Sequence, residues 1–496
     1  MGLSLLIYVD TSIKNDEILT FKDTNIPEYQ QNLLTGTVEF ENVIYSVPAD
    51  YSGKLDNSPR LIRRDGVDTI DFWKEAFKLS SSESIVKVYA DAPFVDTAIV
   101  EDMVHHHREY GAEYTYSWNV PAGFGCEIYS RELIDSVPPS YDRDASFSSI
   151  IQANINQFDV ELYFQDPDIR KLRLDFRVSD PRERRIMENM ADIHGSTPPY
   201  ADIENLVQEN PKVLRVGPSY LELELNGTCE LDCIFCYRNT LGHEHGAMTA
   251  GILDSVIDGI HGFGLPCTIC LGGSGEPLMH ENFYTMLKKI SDEPLVSRVV
   301  IETNGIYANA NYATALAAVK DMEIITIVNM NGMDAETYKS IHGSDHFQAV
   351  HDNIVRLRDT LENTSHQLFV QVMKINETEP YLDRYYDFWE KQQVPIILQK
   401  QNTYLGRIED RRYSDLTPFD RTPCWHLQRD MYVLYDGTVA FCKQDVDGKN
   451  QAGKLRDQSL KDIWEKSSIS FENDYRGDLA ASPDCSSCDE WYTFNF

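Results

Sequence analysis

From residue 212 to 400 the chain alternates between two hydrophobic periods. Six short segments, YLELELN, TICLGG, SRVVIETNG, EIITIVNMN, LFVQVMKIN and PIILQK, are rich in aliphatic and β-branched residues and read as strands. Between them lie MTAGILDSVIDGIHGF, ENFYTMLKKISD, NYATALAAVKD, HFQAVHDNIVRLRDTLEN and YLDRYYDFWEKQQ, whose apolar positions recur with the helical period. Six strands with five intervening helices predict an α/β fold, a (β/α)6 partial TIM barrel, with its functional loops at the C-terminal ends of the strands.

Residues 1–200 alternate less regularly. SLLIYVD, NVIYSVPA, SIVKVYAD and AEYTYSW are strand-like, with VDTAIVEDMVHHHREYG as an amphipathic helix before the last. The pattern predicts an α/β sandwich. LRLDFRV (172–178) reads as a strand, and a helix is expected to start near Asp180-Pro181. The polar, Pro- and Asn-containing stretch 194–212 is the candidate linker. In the third region, residues 401–496, short strands MYVLYD and TVAFCKQD flank a turn at Gly437, and a helix SLKDIWEKS follows.

The 496-residue length agrees with roughly three domains at about 150 residues each. Lys plus Arg total 45 against 79 Asp plus Glu, a net charge of −34. Such a surface repels phosphate backbones and anionic bilayers, which argues against nucleic acid and membrane partners. No stretch reaches the roughly 18 apolar residues of a membrane span. MGLSLLIYVD lacks the basic start of a signal peptide. A cytoplasmic location is expected, and in a reducing compartment ten cysteines point to metal or catalysis before disulfides.

The densest grouping is Cys229, Cys233 and Cys236, a C-x3-C-x2-C run placed directly after the first barrel strand. Three thiolates can hold three irons of a [4Fe–4S] cube and leave the fourth open to a small molecule. A zinc site is the competing reading, with His243 or His245 as fourth ligand. The second strand runs into GGSGEPLMH (272–280), for which a glycine turn before a helix is one reading. The third ends ETNG (302–305), and the fourth ends Asn329-Met330-Asn331-Gly332 followed by MDAETYKSIHG. Cys267 and Cys270 lie three apart on one strand, so they face opposite sides and read as buried thiols. His105, His106 and His107 diverge around a helix and read as a solvated face, and Cys126 as an inert thiol.

With Phe235 before the third cysteine and these strand-end motifs in order, residues 218–400 resemble the radical S-adenosylmethionine (SAM) enzymes. The resemblance implies that Cys229, Cys233 and Cys236 ligate a catalytic [4Fe–4S] cluster, and that SAM binds its open iron. It implies SAM contacts from Phe235, Gly273, Ser274, Gly275 and Glu276, with Glu276 taking the SAM ammonium. Asn304, Asn329 and Asn331 are the further candidate contacts; at the fourth strand many relatives carry Ser-x-Asp-Gly, and here asparagines stand in its place. A reductant such as flavodoxin or ferredoxin is the implied partner.

Cys424, Cys442, Cys485 and Cys488 form the second grouping, which by itself suits zinc as well. The stretch PCWHLQRDMYVLYDGTVAFCKQD…GKLRDQSLKDIW resembles the SPASM/twitch extension of radical SAM enzymes. No cysteine follows Cys488 in this sequence, which matches the twitch form and implies one auxiliary [4Fe–4S] cluster with four cysteine ligands. The N-terminal stretches VYADAPFVD, GFGCEIYSRELI and LRLDFRVSDPRERRIMENM resemble the cytidylyltransferase-like fold, which would place Asp91 near nucleotide and metal. Residues 8–25 contain no glycine, so a backbone cradle for triphosphate is missing and a degenerate module is expected. The domain order resembles that of spiro-SPASM proteins.

The expectation is therefore a radical SAM oxidoreductase acting on a small-molecule substrate, sugar- or nucleotide-linked, with the auxiliary cluster as electron acceptor. Modification of a peptide or protein, and a non-catalytic zinc-stabilised binding protein, are the alternatives.

Overall fold

A computed structural model describes residues 2–138, 141–142, 144–241, 246–415, 417–481 and 483–493. His243 and His245, the candidate zinc ligands, lie outside the described residues. The chain divides into two compact units, Met1–Val213 and Leu214–Phe496. Among the described residues no helix is long and apolar enough to cross a membrane.

The first unit is built on a seven-stranded sheet. Its spatial order is Leu61–Arg64, Asn42–Pro48, Leu3–Tyr8, Ser84–Tyr89, Glu127–Ser130, Tyr114–Ser117, Val160–Tyr163. The first four strands run parallel, and Glu127–Ser130 is antiparallel to both of its neighbours. LRLDFRV differs from expectation: Arg170–Leu172 is a 3-10 turn and residues 173–177 are irregular. Arg173 takes a left-handed backbone (φ 54°), which breaks the extended run that β-propensity favoured. The helix after it begins as expected, at Pro181, with the Asp180 side chain accepting from the N–H groups of Arg182 and Glu183. The polar stretch 194–212 contains a helix, Tyr200–Glu209, whose Tyr200 is buried edge-on against Phe124.

The second unit carries six parallel strands in chain order: Tyr220–Glu224, Cys267–Gly272, Val296–Thr303, Glu323–Asn329, Gln367–Lys374 and Ile396–Lys400. Alternation sorts the side chains of the first strand. Leu221 and Leu223, with Leu225 just beyond, enter the core beneath the surrounding helices, each burial contributing about 1.5–3 kcal/mol. Tyr220, Glu222 and Glu224 face the barrel interior. Cys267 joins the outer core, whereas Cys270 joins an inner floor with Tyr220, Val300, Ile325 and Ile327.

The C-terminal segment continues this sheet. Asp430–Val433 pairs in parallel with Tyr220–Glu224, and Thr438–Ala440 and Gly453–Lys454 add antiparallel strands beyond it.

Candidate functional site

The loop after the first strand carries Cys229, Cys233 and Cys236, and its backbone is stitched to a helix it meets late in the sequence. Asp232 N–H donates to the His342 carbonyl and Ile234 N–H to that of Ile341, at the end of the helix Ala335–His342. A Cys236 N–H bond to the Cys233 carbonyl (3.0 Å) closes the turn between the second and third cysteines. Cys229, Cys233, Phe235 and Cys236 all line one cavity of about 440 Å³ at the mouth of the barrel.

Gly273, Ser274, Gly275, Glu276, Asn304 and Asn329 line the same cavity. The glycines have a reason internal to the protein. A Cβ on Gly275 would stand 2.0 Å from the Asn226 carbonyl oxygen, and one on Gly273 (φ 95°) 2.9 Å from Glu224 Cβ. The glycine loop and the cysteine loop therefore press backbone to backbone. Glu224 accepts from Ser274, and Asn226 Nδ2 donates to the Glu276 carbonyl (3.2 Å), which locks the two loops together.

Glu276 is 2% exposed and accepts from Thr303 Oγ1 (2.7 Å), Asn304 N–H (2.8 Å) and Leu278 N–H (3.1 Å). Burial pushes its carboxyl up to about 7 despite these donors. Asn329 Oδ1 accepts from Gln371 (2.7 Å). Asn331 is placed differently from its fellow candidates. It is 1% exposed, its Oδ1 accepts from Met373 N–H (2.7 Å), and its carbonyl accepts from Tyr381.

Burial pushes the Cys229 thiol up to about 11, and raises Cys233 and Cys236 as well, with Arg238 pulling Cys236 back. Thiols so placed ionise when a metal takes the proton's place. Among the described residues no three His, Cys, Asp or Glu side chains gather tightly enough for one metal ion. The residues fit a cluster: three thiols open on one cavity, and the Glu230 Oε2 beside them is buried without a hydrogen-bond partner among the described residues.

Cys424, Cys442, Cys485 and Cys488 line a second, smaller pocket. Asp474 accepts from the Cys424 N–H (2.6 Å) and pairs with Arg421 (2.9 Å), which donates to the Cys485 carbonyl (3.0 Å). Burial raises all four thiols, Cys485 to about 11. The two cavities share a wall made of His426, Cys442, Lys443, Asp445 and Glu490.

Several residues of this site have no motif to announce them. Lys443 pairs with Glu222 across 3.2 Å inside the barrel. Burial works against the Lys443 charge, but Glu222 and Glu302 outweigh it and raise its pKa. The alternation of LELELN was the only signal for Glu222 and Glu224, since it marks them as one face of a strand. His342 is buried at the cysteine loop, and burial pushes its imidazole down to about 3.

In the first unit Asp91 is fully buried, and its Oδ1 accepts from Arg177 Nε (3.0 Å). The same guanidinium pairs with Asp10 (3.2 Å) and lies 4.1 Å from the Tyr89 ring centre. An internal cation thus stands where the resemblance expected nucleotide and metal. The histidine run is divided: His105 is exposed, but His107 is buried, bonded to Ser84 (3.1 Å) and Thr115 (2.9 Å), and held neutral with a pKa near 4 by burial. Its position on the sheet-facing side of the helix overturns the solvated reading for that residue.

Comparison with known proteins identifies two domains. Residues 223–383 match the model of the radical SAM superfamily, and residues 424–489 match that of an iron–sulfur cluster-binding domain, SPASM. An uncharacterised protein of Treponema pallidum (strain Nichols) is 28% identical over 359 residues, 70% of this chain and 97% of that protein. Among solved structures, BtrN in complex with AdoMet and 2-DOIA is 16% identical over 56% of this chain and 98% of its own, with a TM-score of 0.37. A cytidylyltransferase from Leptospira borgpetersenii serovar Hardjo-bovis (strain JB197) is 18% identical, covering 43% of this chain and 96% of its own, with a TM-score of 0.37. The chain carries a radical SAM domain, which implies SAM and a [4Fe–4S] cluster, followed by a SPASM domain, which implies auxiliary iron–sulfur clusters.

Proposed function

We propose that this protein is a radical SAM oxidoreductase acting on a polar small molecule, sugar- or nucleotide-linked, with one auxiliary [4Fe–4S] cluster as electron acceptor. The supporting observation is that both cysteine groups meet the same chamber. Cys229, Cys233 and Cys236 line its mouth, and Cys442 stands in the wall it shares with the four-cysteine pocket.

When bound, the cluster and SAM supply a 5′-deoxyadenosyl radical able to take a hydrogen atom from substrate carbon. Cys229, Cys233 and Cys236 would hold the cluster, and residues 273–276 with Asn304 and Asn329 would contact SAM. Tyr220, Cys270, Val300, Ile325 and Ile327 close the barrel floor against water. Above that floor Glu222, Glu302, Gln371, Gln399 and Lys443 offer donors and acceptors suited to hydroxyl, amide or phosphate groups. Cys424, Cys442, Cys485 and Cys488 together leave no iron position for substrate, so they fit a role in taking up the electron that oxidation releases. An external reductant such as flavodoxin or ferredoxin completes the set of partners.

Anaerobic reconstitution with SAM and a strong reductant tests the reading. Brown protein with about eight irons, as two cubes require, and release of 5′-deoxyadenosine that Cys236→Ala abolishes are expected. A colourless protein holding zinc refutes it. Turnover of a peptide, with no turnover of sugar or nucleotide candidates, reassigns the substrate.

A further inference from the structure

His342 is 109 residues distant from Cys233 in sequence, and in the fold its Nδ1 lies 3.1 Å from the Cys233 sulfur. Its other ring nitrogen, Nε2, faces the backbone N–H of Asn331 at 3.2 Å. A backbone N–H can only donate, so Nε2 must be the unprotonated acceptor. A neutral imidazole then carries its single proton on Nδ1, directed at Cys233. The ring cannot easily turn away. It is 1% exposed, with Tyr338 4.3 Å from it at 31° and Phe235 edge-on at 6.1 Å. The carbonyl of the same residue accepts from Asp232 N–H, which fixes the cysteine loop against it.

We propose that His342 is a positioning residue for the catalytic cluster, whose Nδ1–H donates a hydrogen bond to the Cys233 thiolate and raises the cluster's reduction potential. The inference rests on the cluster assignment made above. Hydrogen bonds to ligand sulfurs set iron–sulfur potentials, because they stabilise the more negative, reduced cluster more than the oxidised one. Asn331 acquires a matching role: its N–H selects the tautomer, and its Oδ1 accepts from Met373 N–H, which holds it in place.

Two substitutions separate the two nitrogens. His342→Asn places an amide near Nδ1 and can keep the donor to sulfur. His342→Gln places its amide near Nε2, keeping the partner of Asn331 and losing the donor. EPR-monitored titration of the cluster whose signal responds to SAM should show His342→Gln shifted to lower potential by roughly tenfold in the reduction equilibrium, about 59 mV for one electron. His342→Asn should stay near the parent value. Equal potentials in all three proteins, or equal shifts in both variants, would overturn the assignment. A measurement on the unmodified protein guards against variants that fail to assemble. With 15N-labelled histidine, the reduced SAM-responsive cluster should show hyperfine coupling to one imidazole nitrogen, and absence of that coupling on an intact cluster overturns the hydrogen bond alone. Absence of any SAM-responsive cluster overturns the proposed function as well.

Discussion

Arg177 is the sharpest lever on the first unit. Its guanidinium is the observed partner of Asp91, a carboxylate with no exposure, whose Oδ2 has no hydrogen-bond partner among the described residues. Replacing Arg177 with Met keeps most of the aliphatic volume and strands that charge in the interior. Removing one member of a buried pair costs about 3–5 kcal/mol, because the survivor keeps its desolvation penalty. The second partner, Asp10, has a side chain 31% exposed and can turn to water, so the lower end, about 3 kcal/mol, is expected. For a unit of this size each kcal/mol moves the midpoint by about 2–4 °C, which gives a drop of roughly 6–12 °C. Thermal unfolding followed by near-UV circular dichroism measures it, because Tyr8, Trp73, Tyr114 and Tyr129 report on the core around this sheet. The decisive control is Arg177→Met with Asp91→Asn. Removing the stranded charge should recover most of the loss, with a coupling between the two sites above about 1.5 kcal/mol. A single-variant cost under 1 kcal/mol, or additive effects, would refute the view that Arg177 is an internal counter-charge and reopen the position to a metal.

Three further outcomes are expected. Gly275→Ala drives a Cβ against the Asn226 carbonyl, an overpacking cost of about 1–3 kcal/mol or more; it should prise the cysteine and glycine loops apart and abolish SAM binding by calorimetry, while iron at the four-cysteine pocket is retained. Cys485→Ala should remove about half of the iron and leave 5′-deoxyadenosine formation intact while substrate oxidation is lost; unchanged product would sink the electron-acceptor role. Glu276 has its carboxyl raised to about 7 by burial, so its stabilising contribution is full below about pH 4.3 and is lost as pH rises through 7. The second unit of the cluster-free protein should therefore lose up to about 3 kcal/mol between pH 4.5 and 7.5, and Glu276→Gln should flatten that slope.

What the sequence disclosed and what it hid divide along physical lines. The six barrel strands were legible because each is a compact aliphatic run between helices of clear period. The first cysteine group was legible because Cys229, Cys233 and Cys236 are local in sequence, whereas the second, spread from Cys424 to Cys488, was legible only through the resemblance of its surrounding stretch. LRLDFRV had the composition of a strand, but Arg173 turns left-handed, and Arg177 is consumed by Asp10 and Asp91 in the segments that follow two strands of the sheet. The stretch 194–212 read as a linker because polar residues and prolines dominate it; Tyr200, buried on Phe124, anchors it together with Ile203, Leu206 and Val207. His342 and Lys443 could not be assigned from pattern, since each acquires its role from a partner more than a hundred residues away. Asn331 was singled out for a ligand, and its Oδ1, N–H and carbonyl meet Met373, His342 and Tyr381.

The parallel pairing of Asp430–Val433 with Tyr220–Glu224 carries a consequence for how this protein can be cut or have evolved. The strand that leads into Cys229, Cys233 and Cys236 would otherwise be the border of the barrel, with a row of unbonded backbone groups on its outer side. Such a border invites pairing with foreign chains. A truncation after residue 400 would not release a smaller enzyme; it would convert the strand before Cys229 into an aggregation edge. The tail is thus a seal on the barrel before it is a carrier of a second cluster, and selection for solubility alone would hold it in place even where the electron-accepting chemistry was lost.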